Sequence, residues 1–132
     1  MNTEKLIEAA RDAAQKAYAR YSDYKVGAAL LCADGDVFVG CNVENASYGL
    51  TNCAERTAVF SAIAAGHRRD FVALAIVADG GSMPYPCGAC RQVLSEFCRD
   101  EFSIYIAKVD ALDDYEVASL GELLPHSFKQ TD

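Results

Sequence analysis

Two short stretches, Cys53-Ala54-Glu55-Arg56 and Pro86-Cys87-Gly88-Ala89-Cys90-Arg91, hold the residues best able to do chemistry in this chain. Three thiolates can fill three corners of a tetrahedral zinc site and leave the fourth open to water. Glu55 stands beside the first thiol and is not needed as a ligand. A carboxylate there can take a proton from water and hand it to a substrate. A closed structural site would need a fourth ligand, and the histidines His67 and His126 are poorly placed for it. His67 lies roughly four helical turns from Cys53, and His126 is in the tail. Three thiolates on Zn²⁺ leave a net charge of about −1, so a nearby cation is expected. Arg56 and Arg91 are candidates to donate to the sulfurs.

These residues need elements to position them. Both cysteine groups fall where helices should begin, and free N–H groups there stabilise thiolates. One helix is predicted from near Cys53 to about Ala65, stopped by Gly66. The other is predicted from near Gly88 to about Phe97. Thr3 is expected to cap a first helix reaching about Arg20, with Leu6, Ile7, Ala10, Ala13, Ala14, Ala17 and Tyr18 on its apolar face. Val26 to Cys32 and Val37 to Val43 read as an antiparallel hairpin around Asp34-Gly35. Phe71 to Ala78 is a near-continuous apolar run, as in a strand buried on both faces. Ser103 to Val109 reads as another strand and Tyr115 to Ala118 as a weak one. Ser119 to Leu124 makes a helical turn ended by Pro125. The order predicts an α/β fold, a three-layer α/β/α sandwich with a mixed five-stranded sheet. No linker or repeat divides the chain, and residues 1–132 are expected to be one domain.

Composition narrows the function. The chain is 52% hydrophobic and 23% charged, as in soluble globular proteins. Its net charge of −7 argues against a nucleic acid polymer as partner, although Arg68-Arg69 is a small basic patch. A small neutral or weakly charged substrate suits the balance better. The first residues, Met1-Asn2-Thr3-Glu4-Lys5, lead into no apolar stretch, and Phe71 to Ala78 is too short to span a bilayer. No membrane association is expected, and the location expected is cytoplasmic. In that reducing compartment, disulfides among the six cysteines are not expected. Cys32, Cys41 and Cys98 read as small buried hydrophobes.

Four stretches, in order, carry a resemblance. They are Tyr21-Ser22-Asp23-Tyr24-Lys25-Val26-Gly27-Ala28-Ala29-Leu30, Asn42-Val43-Glu44-Asn45-Ala46-Ser47-Tyr48, Cys53-Ala54-Glu55-Arg56 and Pro86-Cys87-Gly88-Ala89-Cys90-Arg91-Gln92. Along nearly its full length the chain resembles the small, homotetrameric, zinc-dependent cytidine deaminases. The resemblance implies hydrolysis of cytidine and deoxycytidine to uridine and deoxyuridine, with release of ammonia, as in pyrimidine salvage. It implies one zinc per subunit on Cys53, Cys87 and Cys90, a water activated there that attacks C4 of the base, and Glu55 as proton shuttle. Asn42 and Glu44 match positions that bind the ribose 3′-hydroxyl. The backbone N–H of Ala54 matches a donor to the base's O2. Tyr24 matches a ring that packs against the base, but the usual residue there is phenylalanine. Phe128 resembles a tail aromatic that reaches into a neighbouring subunit's site, and Tyr48 a residue at the same boundary.

Other readings separate on particular residues. Blasticidin S, guanine and tRNA adenosine deaminases share the zinc pattern. The Asn42-Val43-Glu44-Asn45 run favours a nucleoside sugar, the acidic charge disfavours tRNA, and Cys53 in place of histidine points to the tetrameric group. A thiol-redox protein built on Cys87 and Cys90 would need neither Cys53 nor Glu55.

Overall fold

The computed structural model describes residues 1–130. Five strands form one sheet: β1 (Lys25–Cys32), β2 (Val37–Cys41), β3 (Phe71–Asp79), β4 (Ser103–Lys108) and β5 (Glu116–Ser119), in the order β2-β1-β3-β4-β5. β1 is antiparallel to both β2 and β3, β3 and β4 are parallel, and β5 is antiparallel to β4. The sheet is therefore mixed, as expected. The parallel pair is joined by α3 (Gly88–Phe97), because parallel neighbours need a crossover.

Alternation along the strands divides the core. Ala28, Leu30, Leu74, Ile76, Ile104 and Ile106 face one side, where they pack with Ala58, Val59 and Ala62 of α2 (Ala54–Ala64) and Leu94 of α3. Ala29, Ala73, Ala75, Val77 and Ala107 face the other, against Leu6, Ile7 and Ala10 of α1 (Thr3–Ala14). Helices on both faces explain why β3 reads as an unbroken apolar run. α2 lies very close to β2. A Cβ added at Gly40 would come within 2.5 Å of the Ala54 carbonyl oxygen, so only glycine lets the start of α2 sit there.

Several boundaries moved. The first helix is capped by Asn2, whose side chain accepts from the Lys5 N–H, rather than by Thr3. It ends at Ala14 instead of near Arg20. Tyr18 leaves the helix to pair with the chain after β2: its N–H donates to the Asn42 carbonyl at 2.9 Å, and its carbonyl accepts from the Glu44 N–H at 2.8 Å. Those non-local bonds outweigh the local helical pattern. For the same reason β2 stops at Cys41 rather than Val43, since Val43 bridges to Tyr18 and Asn52. A short 3-10 turn at Tyr48–Leu50 was not foreseen. The turn predicted at Ser119 to Leu124 forms as α4 (Leu120–Leu123), with a capping box between Ser119 and Glu122. Among the described residues, no helix is long and apolar enough to cross a membrane.

Candidate active site

Cys53 and Cys87 are the N-cap residues of α2 and α3, and Cys90 lies in the first turn of α3. The two helix starts bring the three thiols together. Their sulfurs all lie within 4.8 Å of one another, and the Cys53 and Cys87 sulfurs are 3.9 Å apart. Zinc–sulfur bonds of about 2.3 Å in a tetrahedron put sulfurs roughly 3.8 Å apart. The spacing therefore fits zinc, and it is far too long for a disulfide. All six cysteines are free.

Arg56, one turn into α2, supplies the expected cation. Its Nη2 donates to the Cys53 sulfur at 3.3 Å and its Nε to the Cys90 sulfur at 3.4 Å. Hydrogen bonding from Cys90, together with the Arg56 guanidinium, lowers the Cys53 thiol to about 5. The Cys90 thiol moves up, because it hydrogen-bonds to that thiolate and is buried. Arg91 behaves differently from expectation. Its Nε donates to the Pro86 carbonyl and its Nη1 to the Leu123 carbonyl, each at 2.7 Å. It braces the turn that carries Cys87 against the end of α4, and it makes no bond to sulfur. The difference is one of direction: Arg56 projects along the seam between the helices, while Arg91 projects toward α4.

Glu55 is only 5% exposed. Burial raises its carboxyl to about 7, and the neighbouring Cys53 thiolate adds to the effect. It lines a cavity of about 300 Å³ with Cys53, Ala54, Cys87, Asn42 and Tyr24. Ser82, Met83, Pro84 and Tyr85, from the loop after β3, close another side. Pro84 and Pro86 frame this loop, and nothing in the sequence assigned it a part in the site. Thr51 was also missed; it borders both this cavity and the one next to it.

Tyr24 finds a partner for its hydroxyl, which donates to the Ser82 carbonyl at 2.8 Å. The ring lies against Gly81, which has φ of 62°, and a Cβ there would come within 2.6 Å of Tyr24 Cε1. Lys108 Nζ donates to the Gly81 carbonyl. The loop wall of the cavity is thus pinned from the residue before β1 and from the end of β4.

Asn42 and Glu44 hold this end of the chain in shape. Asn42 Oδ1 accepts from the Val26 N–H at 2.9 Å and its Nδ2 donates to the Tyr24 carbonyl at 2.8 Å. Glu44 accepts from the Tyr21 and Ser22 N–H groups at 2.9 and 3.0 Å and from the Ser22 hydroxyl. These bonds, the Ser22 hydroxyl foremost, hold the Glu44 carboxyl below its ordinary value. Glu44 faces an adjoining concavity with Tyr21, Tyr48 and Thr51. Phe128 is apart from both concavities: it is 69% exposed, and its carbonyl accepts from Gln92 Nε2 at 3.0 Å. Tyr48 is 75% exposed and meets Tyr21 edge-on.

Residues 1–106 match the cytidine and deoxycytidylate deaminase zinc-binding region. The chain belongs to that family. The cytidine deaminase of Halalkalibacterium halodurans is 49% identical over 132 residues, covering 100% of this chain and 98% of the relative. That of Sporosarcina psychrophila is 47% identical over the same length, covering 95% of the relative. The crystal structure of cytidine deaminase from Burkholderia pseudomallei superposes with a TM-score of 0.91 at 53% identity, covering 97% of this chain and 100% of that one. The family is zinc-binding, and the three-thiol cluster has the donors and spacing to hold the ion.

Proposed function

We propose that this chain is a zinc-dependent cytidine deaminase that converts cytidine and deoxycytidine to the uridine nucleosides and ammonia. The observation that carries this reading is the convergence of Cys53, Cys87, Cys90 and the buried Glu55 on one cavity. Zinc bound by the thiols supplies Lewis acidity that makes water a nucleophile near neutral pH. Net, a C4–O bond forms and the C4–N bond breaks. Glu55 takes the two protons of water in turn, delivering one to the ring nitrogen and the other to the departing amine. Its burial and raised pKa suit a group that must hold and release a proton near pH 7. Arg56 offsets the charge of the thiolates, so that the site can still acidify water.

The remaining residues bind. The Ala54 N–H, free at the start of α2, donates to O2 of the base. Tyr24 packs its ring on the base, while Asn42 and Glu44 meet the ribose 3′-hydroxyl. Among the described residues, no Lys or Arg lines either concavity, which supports a nucleoside over a nucleotide. The exposed rings of Tyr48 and Phe128 support contributions across subunits in a homotetramer of one-domain chains, each holding one catalytic zinc. The expected setting is cytoplasmic pyrimidine salvage. The test is the ultraviolet absorbance of cytidine mixed with zinc-replete protein, beside the Glu55→Ala variant. A fall with ammonia release, absent in the variant, supports the reading. No fall with the wild type, while another aminated base is turned over, would replace the substrate.

A further inference from the structure

Cys32 is the thiol for which the reaction has no use and the packing gives no ordinary explanation. It ends β1 and is 1% exposed. A buried cysteine acting as a small hydrophobe should face hydrocarbon. Instead its sulfur, a ring nitrogen of His67 and a carboxylate oxygen of Asp70 all lie within 4.8 Å of one another. His67 Nδ1 is 2.6 Å from Asp70 Oδ2, and its Nε2 is 3.2 Å from Asp36 Oδ2. Asp34 Oδ2 lies 3.8 Å from the same Nε2. Asp70 Oδ1 is buried with no hydrogen-bond partner among the described residues.

One polar atom is therefore held at a cost, and one thiol is kept protonated. The orphaned carboxylate oxygen has lost its water without gaining a donor. Burial and the charges of Asp70, Asp34 and Asp36 push the Cys32 thiol up to about 11. A cation between the sulfur and Asp70 would relieve both. The end of α2 also points here, for the His67 N–H donates to the Ala62 carbonyl at 3.0 Å. The negative end of a helix favours positive charge.

We propose that Cys32, His67 and Asp70 form a second zinc site, with the Asp36 carboxylate accepting from His67 Nε2–H. Thiolate, imidazole and carboxylate are zinc donors, and a neutral imidazole with two anions balances the charge of the ion. Tetrahedral bonds place ligand atoms about 3.3–3.8 Å apart, so pairs as far apart as 4.8 Å close by roughly an ångström, while the His67–Asp70 pair opens from 2.6 Å as the ion replaces the shared proton. The Asp36 contact is the carboxylate partner that orients a metal-bound imidazole. Binding displaces two protons to solvent: the thiol proton, and the one shared by Nδ1 and Asp70. The ion would fasten the β1–β2 turn to the connection between α2 and β3. Its ligands touch neither concavity of the active site, so the proposal stands apart from the deaminase reading.

The test is zinc content of the reduced full-length protein after zinc loading and gel filtration, measured by mass spectrometry. Wild type should hold about two zinc ions per chain, and Cys32→Ala and Asp70→Asn about one, with cytidine turnover unchanged. With zinc retained on Cys53, Cys87 and Cys90, cobalt(II) added to the second site should give a sulfur-to-cobalt absorption band that Cys32→Ala lacks. Should Cys32→Ala fail to fold, Asp70→Asn carries the count alone, since it changes one oxygen to a neutral amide. One zinc per chain in the wild type would overturn the site. So would a second zinc that survives both substitutions, or a cobalt band that survives in Cys32→Ala.

Discussion

Two thiol clusters lie at opposite ends of β1, α2 and β3, and they are tuned in opposite directions. At one end Cys53 sits at the N-terminus of α2 with Arg56 on its sulfur, and its thiol falls to about 5. At the other end, past the C-terminus of α2, Cys32 is ringed by Asp34, Asp36 and Asp70, and its thiol rises to about 11. One helix separates them, and its dipole favours anions at the first end and cations at the second. The sulfur atom is the same in each. The neighbouring charges decide whether it is a ready metal ligand or one that needs a metal to ionise it. The first cluster adjoins a cavity with a buried carboxylate, the pairing that hydrolytic chemistry needs.

The largest effect should come from removing that carboxylate. Glu55→Gln should lower turnover of cytidine by about 10²–10⁴-fold or more while metal content stays at the wild-type level. Activity within tenfold of wild type would take Glu55 out of the mechanism. Next, Cys53→Ala should lose metal, melting temperature and activity together, whereas Cys32→Ala should leave activity intact. If Cys53→Ala binds zinc normally and remains active, the two ends are not different in kind.

Arg56→Ala probes the charge that separates the ends. Zinc affinity should fall by about 10–100-fold in a chelator competition, because the thiolates lose their donors. Unchanged affinity would show that the helix N-termini alone suffice. Tyr24→Phe removes only the hydroxyl bond to the Ser82 carbonyl, a contact of about 0.5–1.5 kcal/mol. KM should rise a few-fold with kcat nearly constant, since the loop wall loosens while the chemistry is untouched. A matching fall in kcat would instead give the hydroxyl a part in the chemical step.

The smallest effect is a pH dependence at the active-site end. Glu44 is held below its ordinary value, so its contribution to stability is present above about pH 4.3. It is lost as pH falls through the lower folded value. Glu44→Gln should therefore lower the melting temperature by a few degrees at pH 7 and by less on the acid side. Parallel melting curves for the two proteins from neutral to acid pH would show that Glu44 contributes through packing rather than charge.

Much of this molecule was legible in the chain. The Asp34-Gly35 hairpin signal and the unbroken run of β3 specified strands in a sheet covered on both faces, because turn chemistry and side-chain burial are local properties of sequence. Cys53, Glu55, Cys87 and Cys90 declared themselves because zinc and proton transfer demand particular donor types at helix starts, and those are spacing rules. What the chain could not state were pairings between distant segments. Tyr18 abandons a good helical pattern to pair with Val43, and Arg91 turns from sulfur to the carbonyls of Pro86 and Leu123. The Ser82–Tyr85 wall reaches the cavity only because β3 ends beside Tyr24. The meeting of Cys32 with His67 and Asp70 is likewise set by the register of β1 against β3, where Cys32 stands opposite Phe71. Residue types fixed which chemistry was possible, while tertiary packing decided which charges each thiol would meet, because a charge acts through distance and burial rather than through position in the chain.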